Sequence, residues 1–234
     1  MKKYLNKWVI FLPLCAAVIL SSCEKEVSDN KIQSSPDEIS HAVDKPFKMT
    51  SDTYPRINPI KAMELSNRPG MTAYANAGGG GVGNATHIGK IRNWFNQLVY
   101  SPTGADPATG TTLAPVADLL SYPVLGAPLP LIQANDFDEF RKANSWLKVP
   151  VSVNGCIVNS VIHNDKGDAI FTSLTTDAKL VFESPTRINF SAKGKFVGGR
   201  GKFAEATGTY VQTGFFNPQN FNDAAYNIEG TITY

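Results

Sequence analysis

Cysteine and histidine are scarce in this chain, which has three of each among 234 residues. Zinc sites in proteins need several Cys, His or acidic ligands at short spacings. The sequence contains neither a His-Glu-x-x-His motif nor a cysteine pair, so we expect no metal and no cofactor. It also lacks the Gly-x-Ser-x-Gly elbow of many hydrolases and the Gly-Lys-Ser/Thr ending of a phosphate-binding loop, so we assign no catalytic residue.

Charged residues are sparse and balanced in sign. The chain has 22 Lys and Arg against 20 Asp and Glu, and three of the lysines lie within residues 1–22. The chain from residue 23 onwards therefore has a net charge of about −1. Nucleic-acid binding depends on several Lys and Arg side chains that neutralise phosphates, so we expect no nucleic-acid partner.

Long apolar runs are also lacking, except for one near the N-terminus that leads to a cysteine. Lys2, Lys3 and Lys7 precede an apolar run over residues 8–20, and the tetrapeptide LSSC ends at Cys23. A run of about 13 residues is shorter than the ~20 that a membrane-spanning helix needs. A plain secretory signal has no need of the cysteine. The pattern resembles the signal of bacterial lipoproteins.

This resemblance implies where the protein is located and how it is held there. In that family the cysteine is acylated and becomes the first residue, so we expect a signal peptide over 1–22 and lipidation of Cys23. Acyl chains contribute ~0.8 kcal/mol per buried methylene, and several together make a stable membrane anchor. No Asp follows Cys23, whereas an Asp there retains enterobacterial lipoproteins at the inner membrane. We therefore expect an outer-membrane protein, on either the periplasmic side or the cell surface.

A polar segment separates the signal from the rest of the chain. Residues 23–54 are rich in Ser, Asp, Lys and Pro, a composition that cannot bury enough surface to offset chain entropy and that predicts a disordered tether. Residues 55–234 are numerous enough for one domain with a single core. If Cys15 leaves with the signal and Cys23 is acylated, Cys156 is the only other cysteine. Its apolar context favours a buried side chain over a reactive nucleophile.

The C-terminal third has the pattern of an antiparallel β-sheet. Short runs of β-branched and aromatic residues are broken by Gly, Asn, Asp and Pro at intervals of about 8–12 residues. Ile188, Phe190 and Ala192 alternate with polar residues, which places the three apolar side chains on one face. The predicted strands are 152–162, 168–174, 178–183, 186–196, 206–213 and 226–234.

Two turns punctuate these strands. The tetrapeptide 164–167 (NDKG) is typical of a hairpin loop because its residues tolerate positive φ. The glycine-rich segment 198–208 is typical of a sharp corner between strands. We expect Phe203 to fill the core beneath that corner.

Three segments resemble small secreted barrels similar to allene oxide cyclase and the dirigent proteins. The corner 198–208 resembles their Gly-Gly-x-Gly-Arg/Lys-Phe-x-x-Ala-Thr-Gly segment, 83–90 resembles an Ala-Thr-His-Leu-Gly-Lys opening strand, and 164–168 with Phe171 resembles an Asn-Gly-Asp hairpin. Residues 230–234 would form the final strand. The resemblance implies an all-β fold, namely a small antiparallel calycin-like barrel of about eight strands.

The chain departs from this resemblance in an insertion at about 97–149. Its first half is rich in Pro, Gly, Ala and Thr and predicts loops. Its second half predicts a short helix over 135–147, capped by Asn135 or Asp136. The insertion either covers a barrel mouth, forms a partner surface or packs on the outside of the barrel, and we favour the last.

Few residues are candidates for chemistry. His41 falls in the tether, and for His87 and His163 a hydrogen-bonded structural role is favoured over metal binding or acid–base catalysis, since no third ligand is evident. If the barrel has an accessible pocket, we take His87, Arg92 and Glu183 as its polar groups. Exposed aromatic residues near its C-terminal loop either line such a site or close one end of the barrel, and we favour closure; these are Phe215, Phe216, Phe221 and Tyr226.

These features together indicate a lipid-anchored envelope protein. The first hypothesis is binding of a small apolar ligand or a partner without catalysis, because small barrels either fill their interior or enclose one ligand. The second is an isomerase or cyclase that acts on an apolar molecule in the barrel, as plant relatives of the fold do with few catalytic groups. The third is a structural envelope-interaction protein that uses the insertion as its contact surface. The sequence makes no prediction about oligomeric state.

Overall fold

The computed structural model describes residues 43–58, 72–101, 110–121, 131–176 and 178–234. Within these ranges it contains twelve strands, one α-helix and two short 3-10 helices. The strands are β1 (Lys45–Asn58), β2 (Thr72–Ala85), β3 (Gly89–Ser101), β4 (Gly110–Leu113), β5 (Ser152–Val153), β6 (Cys156–Ile157), β7 (Ser160–His163), β8 (Ala169–Leu174), β9 (Ala178–Ser184), β10 (Arg187–Arg200), β11 (Thr207–Asn217) and β12 (Asn220–Thr233). The helices are α1 (Leu131–Leu147) and the 3-10 helices Val116–Ser121 and Gly201–Phe203.

The strands close into an eight-stranded antiparallel β-barrel. One side is formed by β10, β11, β12, β1, β2 and β3, each paired with the next. The gap between β3 and β10 is bridged at one end by β7 and β8 and at the other end by β4 and β9. Each level of the barrel therefore has eight strands, and closure pairs the strand edges with one another. The prediction of an all-β antiparallel barrel is confirmed.

Alternation along the strands builds the interior core. In β10, Ile188 and Ala192 are buried and Phe190 packs against the same core, as the sequence pattern predicts. The corner after β10 also has the expected form, since Phe203 in its 3-10 helix is fully buried in the interior core. The predicted strands 168–174, 178–183, 186–196, 206–213 and 226–234 correspond to β8 through β12, of which the last three are longer than predicted.

A second apolar layer, which we call the outer layer, lies on the outside of the barrel, where α1 packs on β3. The rings of Trp94 on β3 and Phe140 on α1 are 5.3 Å apart and both side chains are buried. Arg92 Nη1 lies 3.5 Å from Glu139 Oε2 on α1. Arg200 Nη1 donates hydrogen bonds of 2.7 Å to the carbonyl oxygens of Trp146 and Leu147, which satisfies carbonyls at the helix C-terminus. The helical part of the insertion thus packs on the outside.

The tether predicted over 23–54 is too long, because residues 45–54 belong to β1. Phe47 and Met49 face the interior core, whereas Lys48 and Thr50 are exposed. The segment is polar on average, and this average conceals a regular alternation of buried and exposed positions. The barrel domain therefore includes residues 45–54, which were predicted to belong to the tether.

The insertion predicted over 97–149 is also revised. Residues 97–101 continue β3, and β4 is part of the barrel wall. Helix α1 begins at Leu131, so Asn135 and Asp136 lie inside the helix and do not cap it. The start was missed because a capping residue was expected immediately before the acidic residues.

Two other strand predictions are wrong in detail. Segment 83–90 is not an opening strand, because it holds the end of β2, a turn and the start of β3, and β1 precedes it. Segment 152–162 is three short strands. Asn154 and Gly155 have φ of 50° and 78° and form the two-residue turn between β5 and β6, for which Asn-Gly is the preferred sequence.

Cys156 is buried, and it is disulfide-bonded in the structure. Cys156 is therefore not a free thiol in the 234-residue chain, and the expectation of a lone cysteine after removal of residues 1–22 and acylation of Cys23 stays a prediction. The other two cysteines, Cys15 and Cys23, lie outside the described residues. Across the described ranges, no helix is both long enough and apolar enough to cross a membrane.

Candidate ligand site inside the barrel

Six neutral polar side chains form a continuous group in the barrel interior, which we call the polar belt. Asn93 and Ser160 illustrate their inward orientation: each lies two residues from an isoleucine of the interior core, Ile91 and Ile162 respectively, and alternate strand residues share a face. The members of the polar belt are Ser51 on β1, Asn93 on β3, Ser160 on β7, Thr172 on β8, Tyr210 on β11 and Tyr226 on β12.

The barrel wall is adapted to the polar belt at Gly81 on β2. Ser51 Oγ donates a 2.6 Å hydrogen bond to Asn93 Oδ1, across the backbone of β2. A Cβ atom at Gly81 would lie 2.6 Å from Ser51 Oγ, 2.9 Å from Asn93 Oδ1 and 2.5 Å from the backbone oxygen of Asp52. Only glycine leaves room for this hydrogen-bonded pair.

Three atoms of the polar belt have no hydrogen-bond partner among the described residues. They are Asn93 Nδ2, Ser160 Oγ and Thr172 Oγ1, and their residues are 0%, 6% and 0% exposed. The hydroxyl of Tyr226 is within hydrogen-bonding range of Ser160 and Asn93, and that of Tyr210 is within range of Thr172, but the distances and angles of these approaches do not make a well-formed hydrogen bond to any of the three atoms. An unsatisfied buried polar group costs about 1–3 kcal/mol, so such atoms mark a place where a partner is needed.

The two tyrosines of the polar belt stay protonated. Burial raises the pKa of Tyr210 and Tyr226 well above the ordinary tyrosine range, and for Tyr226 the neighbouring Tyr210 adds to the increase. The nearby side chains of Ser160, Asn93 and Thr172 lower these pKa values only in part. Both phenols are therefore neutral hydrogen-bond donors at physiological pH, and neither serves as a general base.

Apolar side chains surround the polar belt. Towards the 198–208 corner, Phe47, Phe196 and Phe203 belong to the interior core, and the rings of Phe47 and Phe196 are 4.9 Å apart. Towards the opposite end, Phe95 and Phe190 are only partly buried. The interior is thus tightly packed at the corner end and less covered at the other.

His87 does not point into this interior. It lies in the turn between β2 and β3 with φ of 65°, and its side chain is exposed. Its Nε2 is 2.8 Å from the backbone oxygen of Pro46, and its ring is 5.8 Å from that of Tyr234. These contacts fasten the turn to β1 and to the C-terminal residue.

Arg92 and Glu183 also lie outside the barrel interior, so the pocket of His87, Arg92 and Glu183 is not formed. Arg92 faces outward from β3 and pairs with Glu139. Glu183 is an exposed residue of β9 whose Oε2 is 3.1 Å from Arg187 Nε and accepts a 2.7 Å hydrogen bond from Asn189 Nδ2. Arg92 on β3 lies opposite His163 of β7, at one end of the gap between β3 and β10. Glu183 on β9 lies at the other end of that gap.

Tyr226 was expected among exposed aromatic residues, but it is buried in the polar belt. Phe215 and Phe216 are partly exposed on β11, and the guanidinium of Arg187 lies 3.9 Å from the ring centre of Phe215. The side chain of Phe221 and the whole of His41 lie outside the described part of the structure.

His163 is a buried residue of the outer layer. Trp94 Nε1 donates a 3.2 Å hydrogen bond to His163 Nε2, so that nitrogen carries no proton, and Nδ1 lies 3.4 Å from the backbone oxygen of Asn164. Burial lowers the pKa of His163 from its ordinary 6.5, and Arg92 adds to the decrease, while the Asn164 carbonyl and Asp165 oppose it. A neutral imidazole in this position joins the outer layer to β3 and plays no part in the polar belt.

Acidification is expected to destabilise the protein through His163. Its folded pKa lies below 6.5, so below about pH 6.5 the unfolded chain binds a proton that the folded chain does not. The free energy of unfolding therefore falls as the pH decreases from about 6.5 towards the folded pKa, by at most about 1.4 kcal/mol per pH unit. Urea unfolding at two pH values, for the wild type and His163→Gln, measures this, and equal losses in both proteins would contradict the expectation.

Comparison with protein-family models, with curated proteins and with solved structures finds no match.

The described ranges hold no group of three or more His, Cys, Asp and Glu side chains placed to share a metal ion. A shallow depression of about 400 Å³ on the outer surface is lined by Asp52, Lys90, Arg92 and Asp165 among others. Its charges are mixed, and it lacks the buried atoms without partners that distinguish the interior. The polar belt is therefore the candidate functional site.

The polar belt was not predicted from the sequence, although its signal is present there. Serine, threonine and asparagine at strand positions are ordinary on a solvent face, and only the alternation with core isoleucines indicates that these face inward. Extending the alternation from Ile91 to Asn93 and from Ile162 to Ser160 would have placed both in the interior.

Proposed function

We propose that this protein is a lipid-anchored protein of the bacterial outer membrane, facing the periplasm or the cell surface, whose barrel binds a small and mainly apolar molecule without transforming it. The anchor is supported by the lipoprotein-like signal that ends at Cys23. Binding is supported by one observation above all: the polar belt holds three buried polar atoms without a hydrogen-bond partner among the described residues.

A purely structural barrel gains little from these atoms, because the tyrosine hydroxyls beside them make no well-formed hydrogen bond with them. Valine in place of Thr172 has nearly the same shape and would remove a buried group that costs about 1–3 kcal/mol when unsatisfied. Polar groups that lower stability are common at functional sites, where stability and function conflict. The small set of polar groups within an apolar enclosure also has the composition of a ligand pocket.

Binding without catalysis is favoured because the polar belt has no general base. Its tyrosines are held protonated and His163 faces the outer layer. The second candidate, an isomerase or cyclase, is supported by the same tyrosines, since neutral phenols can donate to an oxygen on which charge develops. The third, an envelope-interaction protein, is supported by the exposed side chains of Trp146 and Val151 beside the outer layer.

The test is native mass spectrometry of the polypeptide from residue 24, which lacks the lipidated cysteine, fused to a cleavable secretory signal, exported in its own host and purified without detergent. This chain contains every strand of the barrel. We expect an additional mass that is lost on unfolding and that belongs to one compound. A bare protein mass would contradict the binding function. Conversion of the recovered compound by fresh protein would instead select the isomerase or cyclase.

A further inference from the structure

The three atoms without partners lie close enough together to contact one polar group of a ligand. Ser160 and Thr172 are directly paired across β7 and β8, where paired Cβ atoms are about 4.5–5.5 Å apart. Asn93 is two residues along β3 from Phe95, which pairs with Ser160, and so is a diagonal neighbour at about 7–8 Å. A single oxygen-containing group placed between the three strands reaches all three side chains.

These atoms accept and donate in a specific combination. Asn93 Oδ1 already accepts from Ser51, so the free amide Nδ2 is a donor only. The hydroxyls of Ser160 and Thr172 both donate and accept. A carbonyl or ether oxygen satisfies the donors, and a hydroxyl group satisfies a donor and an acceptor together.

The interior offers no charge to pair with a ligand ion. The buried polar residues of the described ranges are Ser, Thr and Asn, the protonated Tyr210 and Tyr226, and His163, which is neutral and in the outer layer. Arg92 and Asp165, the charged residues that affect the pKa of His163, line the outer surface. Burying a carboxylate or an ammonium ion without a counter-charge is strongly unfavourable.

The rest of the ligand must be apolar. The polar belt is flanked inside the barrel by Met49, Ile91, Ile162 and Ile228 of the interior core. We infer that the barrel's ligand is an uncharged compound, an alcohol, ketone or ester with an apolar body, whose oxygen is bound by Asn93, Ser160 and Thr172. This inference deepens the proposed function and rests on it.

The test compares four probes that share one ten-carbon chain: 1-decanol, 2-decanone, decanoate and decylammonium. Each is added to the polypeptide from residue 24, and thermal unfolding is followed by tryptophan fluorescence. We expect the alcohol and the ketone to raise the melting temperature and the two ions to leave it unchanged. Equal stabilisation by decanoate or decylammonium would overturn the inference and leave the proposed binding function standing.

Variants connect the effect to the polar belt. Thr172→Val is expected to raise the melting temperature of the ligand-free protein by about 2–4 °C, because it removes a buried group without a partner, and to weaken decanol binding about tenfold. Ser160→Ala is expected to weaken decanol binding in the same way. Thr209→Val makes the same chemical change at an exposed position of β11 and is expected to alter neither property.

Two further outcomes overturn the inference. Unchanged decanol binding by both Thr172→Val and Ser160→Ala would show that the oxygen is not held by the polar belt. No stabilisation by any of the four probes would also overturn the inference, because the tyrosine hydroxyls beside the three atoms or ordered water, common in protein interiors, would then be their partners. The mass measurement of the host-purified protein then decides independently whether the proposed binding function also fails.

Discussion

Gly81→Ala is expected to lower the free energy of unfolding by about 3 kcal/mol, at the upper end of the usual cost of overpacking. The added Cβ would lie 2.5 Å from the backbone oxygen of Asp52 and 2.6 Å from Ser51 Oγ. Because a backbone oxygen cannot rotate away, β1 and β2 must separate, and the Ser51 to Asn93 hydrogen bond is lost with them. For a domain of this size the melting temperature falls by about 6–12 °C.

Gly89→Ala is the matched control, since it adds the same methyl group to the start of β3. Gly89 has φ of 82°, and a Cβ atom added there would meet nothing within 4 Å, so only backbone strain of about 1–2 kcal/mol is expected. Thermal and urea unfolding of both variants measure the difference. A Gly81→Ala protein as stable as Gly89→Ala would contradict the tight packing of β2 against the polar belt.

Cys23→Ala is expected to abolish acylation and to leave residues 1–22 attached. In lipoproteins the acylated cysteine is what the signal peptidase recognises, and alanine has no thiol to accept a lipid. Intact-mass measurement is the readout: the wild-type protein should lack residues 1–22 and carry acyl chains, and the variant should retain the full 234-residue mass. Ser22→Ala, beside the cysteine, keeps the thiol and a small residue and is expected to be processed normally.

Two results would contradict lipidation. One is an acylated and cleaved Cys23→Ala protein. The other is a disulfide between Cys23 and Cys156 in the wild-type protein, because one sulfur cannot carry both a thioether and a disulfide. Cys156 is disulfide-bonded in the structure, so the identity of its partner is worth measuring. Peptide mapping of the unreduced wild-type protein shows whether that partner is Cys23.

The local sequence pattern was sufficient to predict the buried face of a strand where one face is buried and the other is exposed to solvent. In β10 the alternation of Ile188, Phe190 and Ala192 predicted the buried face, and the glycine-rich corner after it predicted the buried Phe203. It was insufficient in β3, where Ile91 faces the interior core and Trp94 and Leu98 lie under the outer layer. A strand buried on both faces shows no clean alternation.

Pairing between distant segments decided the candidate site. His87, Arg92 and Glu183 were grouped because they are polar residues on or near strands, and a sequence does not state which strands meet. The polar belt comes from six strands, and its best-defined contact joins Ser51 to Asn93, which are 42 residues apart. The pairing of β1 and β3 with the two edges of β2 places Ser51 and Asn93 on either side of Gly81, and no local propensity encodes that contact.

The sequence by itself determined an all-β chain, because alternation with a period of two excludes amphipathic helices over its C-terminal third. It also predicts a signal that resembles those of lipoproteins, because such a motif is contiguous and needs no folding to be recognised. Only the tertiary structure decided which face of each strand lies inside, which part of the insertion joins the wall and which polar atoms are buried without partners. These properties depend on strand register and closure, since a one-residue shift in register moves every side chain of a strand to the opposite face.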